Sequence, residues 1–180
     1  IYSSNPRVDE RKTATNYQNM ANIYSNQMDY EKAENYYLRS IELFLKDSIN
    51  NLDRLGMVYN NLGIMLNAQG RYTDAIKFYK KSLYLKKITN SNSLSSTYGN
   101  LANLYSRKGN LQLAEEYFKE AITLGNKKNN NKHAQAIDYM NYGLLQSKQN
   151  KLNKAETLIK KSLKLNLSIF GPIHPGISRC

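Results

Sequence analysis

Four asparagines recur along the chain at a nearly constant interval. Asn19, Asn61, Asn100 and Asn141 follow one another at steps of 42, 39 and 41 residues. A primary amide carries donors and an acceptor together, so each could pair at once with the C=O and the N–H of one peptide unit. Such a row would hold a backbone without reading its side chains. The same amides could instead tie neighbouring helices within a scaffold, and the residues alone leave both readings open. The usual parts of an active site are missing. The chain has two histidines, His133 and His174, one cysteine at its end, Cys180, and neither metal-ligand spacing nor a phosphate loop. No catalytic set, metal or cofactor is expected of these residues. An enzyme could be attached elsewhere in a longer protein.

The amides recur because a whole stretch recurs. Tyr59 to Leu83 has counterparts in Tyr17 to Ile41, Tyr98 to Ile122 and Tyr139 to Leu163. Within the second copy, Tyr59, Leu62, Gly63 and Leu66 share one helical face, and Tyr72, Ala75, Ile76, Tyr79 and Leu83 share another. Between these runs, Gly70, Gly109 or Asn150 suits a left-handed turn. Small residues mark where the two helices must approach: Ala21, Gly63, Ala102 and Gly143 in the first, Ala33, Ala75, Ala114 and Ala155 in the second. The series Ser40, Ser82, Ala121 and Ser162 follows them. Tyr37, Tyr79, Phe118 and Ile159 fill the space between, so the aromatics read as core and not as a base-stacking platform. One such hairpin cannot bury its own faces; stacking on the next completes the core.

The pattern Tyr59-x2-Leu62-Gly63-x2-Leu66 … Ala75-x3-Tyr79 resembles a tetratricopeptide repeat, with tyrosine for the usual leading tryptophan. The period is longer than 34 residues and the closing proline is absent. Both departures, with Phe170-Gly171-Pro172-Ile173-His174-Pro175, are similar to the long-repeat branch of kinesin light chains and bacterial signalling scaffolds. The resemblance implies an all-α, right-handed superhelix (an α-solenoid) of antiparallel helix pairs. Repeats are expected over about 8–46, 52–87, 94–125 and 133–168 of a single array spanning 1–180. Residues 169–180 read as a linker and the start of a truncated further repeat, and residues 1–8 as the tail of an earlier one. The chain is therefore expected to be a piece of a longer protein, leaving Leu163 and Leu167 open to water.

In such arrays the first helices line a concave groove, and a corresponding asparagine column grips peptides in kinesin-light-chain-like repeats. The resemblance thus implies an extended peptide or partner protein held by Asn19, Asn61, Asn100 and Asn141. The helical register adds Thr15, Asn22 and Asn26, then Met57, Ile64 and Ala68, then Ser96, Asn103 and Arg107, and finally Ile137, Leu144 and Lys148. Met57, Ile64, Ile137 and Leu144 offer apolar surface, while Arg107 and Lys148 favour an acidic residue towards the later repeats. The lysines and arginine of the carboxylate clamp found in chaperone-binding relatives are not matched around Gln18, Asn22 and Asn61.

Lysine and arginine number 26 against 14 acidic residues, a net charge of +12. Lys77, Lys80, Lys81, Lys86, Lys87, Lys160, Lys161 and Lys164 fall on second helices, where a solvated convex back is expected. That placement argues against nucleic acid as the main partner, although a basic face keeps it as a lesser reading. No membrane span or signal peptide is evident, and the lone cysteine fits a reducing, cytoplasmic setting. The second functional reading is a structural spacer or oligomerisation module that self-associates through uncapped terminal helices.

Overall fold

Short polar or left-handed breaks cut the chain into helices. The computed structural model describes residues 6–128 and 131–171, with side chains over 10–127 and 131–171. Among these residues there are eight α-helices and no strand: α1 (Pro6–Asn26), α2 (Tyr30–Lys46), α3 (Ser48–Ala68), α4 (Tyr72–Ile88), α5 (Leu94–Arg107), α6 (Leu111–Lys128), α7 (Lys132–Lys148) and α8 (Leu152–Phe170). Of the leading tail expected over 1–8, residues 6–8 belong to α1 and residues 1–5 lie outside the described residues, as do the motif beyond Gly171, His174, Cys180 and the truncated further repeat.

The turns within the hairpins follow the expectation. Gly70, Gly109 and Asn150 take φ of 77°, 81° and 58°. The first hairpin reaches the same conformation with Met28 at φ 62°, where a side chain costs about 1–2 kcal/mol. Asp29 compensates in part by capping α2, accepting from the Lys32 backbone N–H at 3.3 Å while its carboxylate pairs with Lys32 Nζ at 2.6 Å.

The joint expected at Asp47–Asn51 is a correction. It shrinks to Asp47 alone, and α3 begins at Ser48. The Asn50 side chain donates to the Asp47 carboxylate, and Asn51 Nδ2 donates to the Asp47 carbonyl at 2.8 Å. These local bonds carry the turn that a polar loop was expected to make.

The chain divides into two compact units, Ile1–Ser93 and Leu94–Cys180. In the first, α1 pairs with α2, α3 pairs with α4, and α3 packs on α2. In the second, α5 pairs with α6, α7 with α8, and α7 packs on α6. The small residues lie where close approach demands them. A Cβ on Gly63 would meet the Tyr79 ring at 2.7 Å, and one on Gly143 would meet Ile159 at 2.7 Å. The second-helix serines do more than leave room. Ser40, Ser82 and Ser162 donate to the carbonyls of Ala14, Gly56 and Ala136 at 2.7, 2.7 and 2.6 Å, each bolting the far end of its hairpin.

Ion pairs stitch successive hairpins within each unit. Glu34 on α2 accepts from Arg71 at 2.6 and 3.3 Å. Glu115 on α6 occupies the same register and accepts from Lys154, Gln146 and Tyr142. Burial alone would raise the Glu115 carboxyl. The bonds from Lys154, Gln146, Lys119 and Tyr142 outweigh it and hold the group far below the usual carboxylate range.

One lysine assigned to the solvated back is not there, a second correction. Lys86 is 2% exposed, and burial pulls its ammonium down to about 8. It fills the place that Phe44 takes in α2: its methylenes cross Gly56, and Nζ reaches the Ser93 carbonyl at 3.4 Å. In the second unit Asp138 is 6% exposed, and its carboxyl lies against Gly99. Burial pushes that carboxyl up to about 7.

Met28→Gly removes the left-handed penalty, and urea denaturation should show a gain of about 0.5–1 kcal/mol. Asp138 generates a pH effect of definite sign. Its folded pKa exceeds the unfolded value, so the native state holds the extra proton between about pH 4 and 7, and stability falls as pH rises through that window. Asp138→Asn should flatten the decline in thermal melts. At pH 8 the variant should exceed wild type by an amount of the order of 2–4 kcal/mol, with near parity at pH 4.

Candidate functional site

The register of α1 and α3 brings Asn22 and Asn61 to one place. Both are half-buried. Asn61 Nδ2 donates to Asn22 Oδ1 at 3.3 Å, and the same oxygen accepts from the Tyr37 hydroxyl at 2.6 Å. Tyr37 stands on α2 with its ring in the core, and burial pushes its phenol up to about 12. At neutral pH it is therefore a fixed donor. Its proton sets which way the Asn22 amide faces, and Asn22 in turn sets Asn61. The Asn22 NH2 and the Asn61 carbonyl oxygen make no hydrogen bond among the described residues. A donor and an acceptor thus remain, side by side.

They open onto a hollow of about 310 Å³ lined by Asn22, Ser25, Asn26, Tyr37, Asn61 and Ile64. Asn22, Asn26, Asn61 and Ile64 were expected on the groove face. Tyr37 and Ser25 were not: Tyr37 reads as core, and only its place one turn from the small-residue column hints that its hydroxyl reaches the floor. At the other end of the α1 face, Thr15 is engaged by the scaffold. Its hydroxyl donates to the Arg11 carbonyl at 2.9 Å, and Arg54 of α3 approaches it at 3.4 Å. Arg54 is a half-buried cation the groove register omitted. Asn19 is exposed and Met57 half-buried, both outside the hollow.

In the second unit none of the expected groove residues is buried. Asn100, Asn103 and Asn141 are half-buried, and Arg107, Ile137, Leu144 and Lys148 are exposed. Ile137, Asn141, Leu144 and Lys148 follow at steps of four, three and four along α7, alternating apolar and polar chemistry on one face. Neither Arg107 nor Lys148 has a carboxylate partner among the described residues. His133 is exposed near the start of α7, its ring edge-on to Phe170 at 6.0 Å. Among the described residues no cluster of three or more His, Cys, Asp or Glu could hold a metal, and no helix is long and apolar enough to cross a membrane.

Paired helices stacked through small residues, with polar side chains left open on the first helices, define a helical-repeat binding scaffold. The tetratricopeptide-repeat profile matches residues 12–88, 54–127 and 93–168, and the chain belongs to that family. Tetratricopeptide repeats are a non-catalytic scaffold fold that generally mediates protein–protein contacts. Among curated proteins, it is 36% identical over 77 residues to the protein named uncharacterized protein ycf37 from Cyanophora paradoxa. That match covers 42% of this chain and 41% of the relative, so the chain spans less than half of the relative's length. Solved structures share the fold. BtubC (BKLC) from P. vanneervenii superposes with a TM-score of 0.80 at 16% identity, over 97% of this chain and 69% of its own. Pseudomonas aeruginosa pilF gives 0.69 at 19% identity, over 92% and 64%. A Podosopora anserina structure described by kinesin light chain nearly identical TPR-like repeats gives 0.67 at 13%, over 88% and 77%.

Tyr37→Phe leaves the packing intact and removes the shorter of the two bonds to the Asn22 oxygen. The Asn22 side-chain amide signals should move and broaden in a ¹H–¹⁵N spectrum, with a stability loss of about 1 kcal/mol in denaturant titration.

Proposed function

We propose that the chain binds an extended segment of a partner protein along the faces of its first helices. The Asn22–Asn61 pair carries this reading. A buried tyrosine orients it, and it leaves one donor and one acceptor facing a hollow, the complement of a single peptide unit. Orientation in advance lowers the ordering cost of binding. Asn19, Asn100 and Asn141 occupy the same column of the repeat as Asn61, which supports one backbone contact per hairpin. Ile64, and in the second unit Ile137 and Leu144, would take apolar side chains of the segment. Arg107 and Lys148 would favour an acidic residue beside them. This reading gives the chain no catalytic step, and its lone cysteine suits an encounter in the cytoplasm.

Screening wild-type chain on a random peptide array and then measuring hits by fluorescence anisotropy tests the proposal. Asn22→Ala with Asn61→Ala should weaken the best peptide by tenfold or more, about 1.4 kcal/mol, with an unchanged helical circular dichroism spectrum. Affinity should vary little with salt, whereas a phosphate-binding surface would lose it steeply.

Self-association is a second reading with its own observation. Met20 and Ile23 on α1 are exposed where the corresponding Leu62 and Met65 of α3 are buried. At the far end Leu163 and Leu167 are 54% and 42% exposed. Static light scattering should report a dimer that Leu163→Glu dissociates if these faces pair; a monomer for both proteins removes this reading.

A further inference from the structure

The first unit has a second concavity that shares none of the hollow's lining. It lies between α2 and α4 with α3 as its floor and measures about 240 Å³. Leu45 forms the α2 wall, Leu52 and Leu55 the floor, and Tyr84 and Leu85 the α4 wall, with Lys81 at the rim. Lys81 Nζ stands 5.3 Å from the centre of the Tyr59 ring and 5.4 Å from that of Phe78. The two ring faces hold the cation in place without neutralising it, and it has no carboxylate partner among the described residues.

The scaffold does not require this lining to be apolar. In the second unit the positions of Leu45, Leu52, Leu55 and Tyr84 are taken by Asn126, Lys132, Gln135 and Lys164. There Gln135 Nε2 donates to the Gly125 carbonyl at 2.7 Å, and Asn126 donates to the Tyr139 hydroxyl at 3.2 Å. The same frame thus accommodates polar residues at these positions, two of them bonded to neighbouring groups. In the first unit it instead keeps Leu45 and Tyr84 at 52% and 67% exposure, and open apolar area is unfavourable by about 25 cal/mol per Å².

We propose that this cleft is a second docking site, for a partner segment bearing one leucine- or phenylalanine-sized side chain next to a carboxylate. Size and charge both select that occupant. An engineered cavity of about 150 Å³ accepts benzene, so this cleft has room for one such side chain. The cleft's volume of about 240 Å³ suits a side chain better than a long acyl tail. Lys81 supplies the charge, and Lys77 stands one helical turn away on α4, exposed and without a carboxylate partner among the described residues. The carboxylates Glu42 and Asp47 stand on the opposite, α2 side. The segment's acid therefore lies towards α4 and its side chain enters over Leu52.

A ¹H–¹⁵N titration of the full chain tests this with four probes: the capped dipeptides Phe-Asp, Phe-Lys and Ala-Asp, and decanoate. Phe-Asp should give saturable shifts around Leu52 and Tyr84. Phe-Lys and Ala-Asp should each bind at least about fivefold more weakly, a difference near 1 kcal/mol. Lys81→Glu should reverse the preference to Phe-Lys. Leu45→Glu, a charge on an already exposed wall, should abolish binding of both without disturbing the fold. Asn22→Ala should leave every one of these shifts unchanged, so failure here is distinct from failure of the groove. No saturable shift at Leu52 or Tyr84 up to about 20 mM overturns the proposal, as do equal affinities for Phe-Asp and Phe-Lys. Decanoate binding more tightly than Phe-Asp at the same amides overturns it in favour of an amphiphile site.

Discussion

Every hairpin closes on a large side chain seated against a residue with little or no side chain of its own. Tyr79 over Gly63 and Ile159 over Gly143 show this contact, and Tyr37 with Ala21 and Phe118 with Ala102 hold the same register in the other hairpins. It fixes how near the paired helices come, and so where everything on their outer faces lies. In the first hairpin the seated ring also carries a hydroxyl. With the ring held by packing, that hydroxyl can only emerge at Asn22, and from there the orientation passes to Asn61. Core packing thus sets the direction of a surface amide, and a function built on that amide inherits the rigidity of the core.

Much of this was legible in the sequence, because repeats state each requirement several times. Spacing alone gave the hairpins, and Gly70, Gly109 and Asn150 marked their turns. The first hairpin's turn at Met28-Asp29-Tyr30 followed from the same spacing, but its left-handed backbone at Met28 did not, since nothing about methionine favours one and the repeat imposes it. Lys86 misled for a different reason. Its place on a lysine-rich helix reads as solvated, but burial depends on Gly56 in the preceding helix opening a path for its methylenes. The serines at Ser40, Ser82 and Ser162 read as small residues, and their hydrogen bonds depend on which carbonyl the partner helix presents. In the candidate site, Asn22, Asn61 and Ile64 followed from helical register. Tyr37 did not, because a residue can belong to the core by its ring and to a groove by its oxygen.

The two units reuse one frame with different chemistry. The first carries an amide-lined hollow on one side and an apolar cleft on another. The second replaces the cleft residues with polar ones and puts exposed Ile137 and Leu144 on α7 beside Lys148. The stitching contacts share a register in Glu34 with Arg71 and Glu115 with Lys151, and the second unit adds Lys154 at the place of Asp74. Both serve to hold one hairpin on the next while leaving the first-helix faces uncovered. Charge is handled unevenly as well, since burial pulls the Lys86 ammonium down and pushes the Asp138 carboxyl up.

Backbone recognition by the Tyr37-held amides is open to a direct measurement. Esters can replace the amides of a bound peptide one at a time, each deleting a single N–H, with affinity read by anisotropy. One ester should weaken binding about tenfold to wild-type chain and lose that effect in Asn61→Ala, because the deleted N–H and the deleted acceptor belong to the same bond. Esters tolerated at every position, or an ester penalty that persists unchanged in Asn61→Ala, would contradict a backbone grip at this pair.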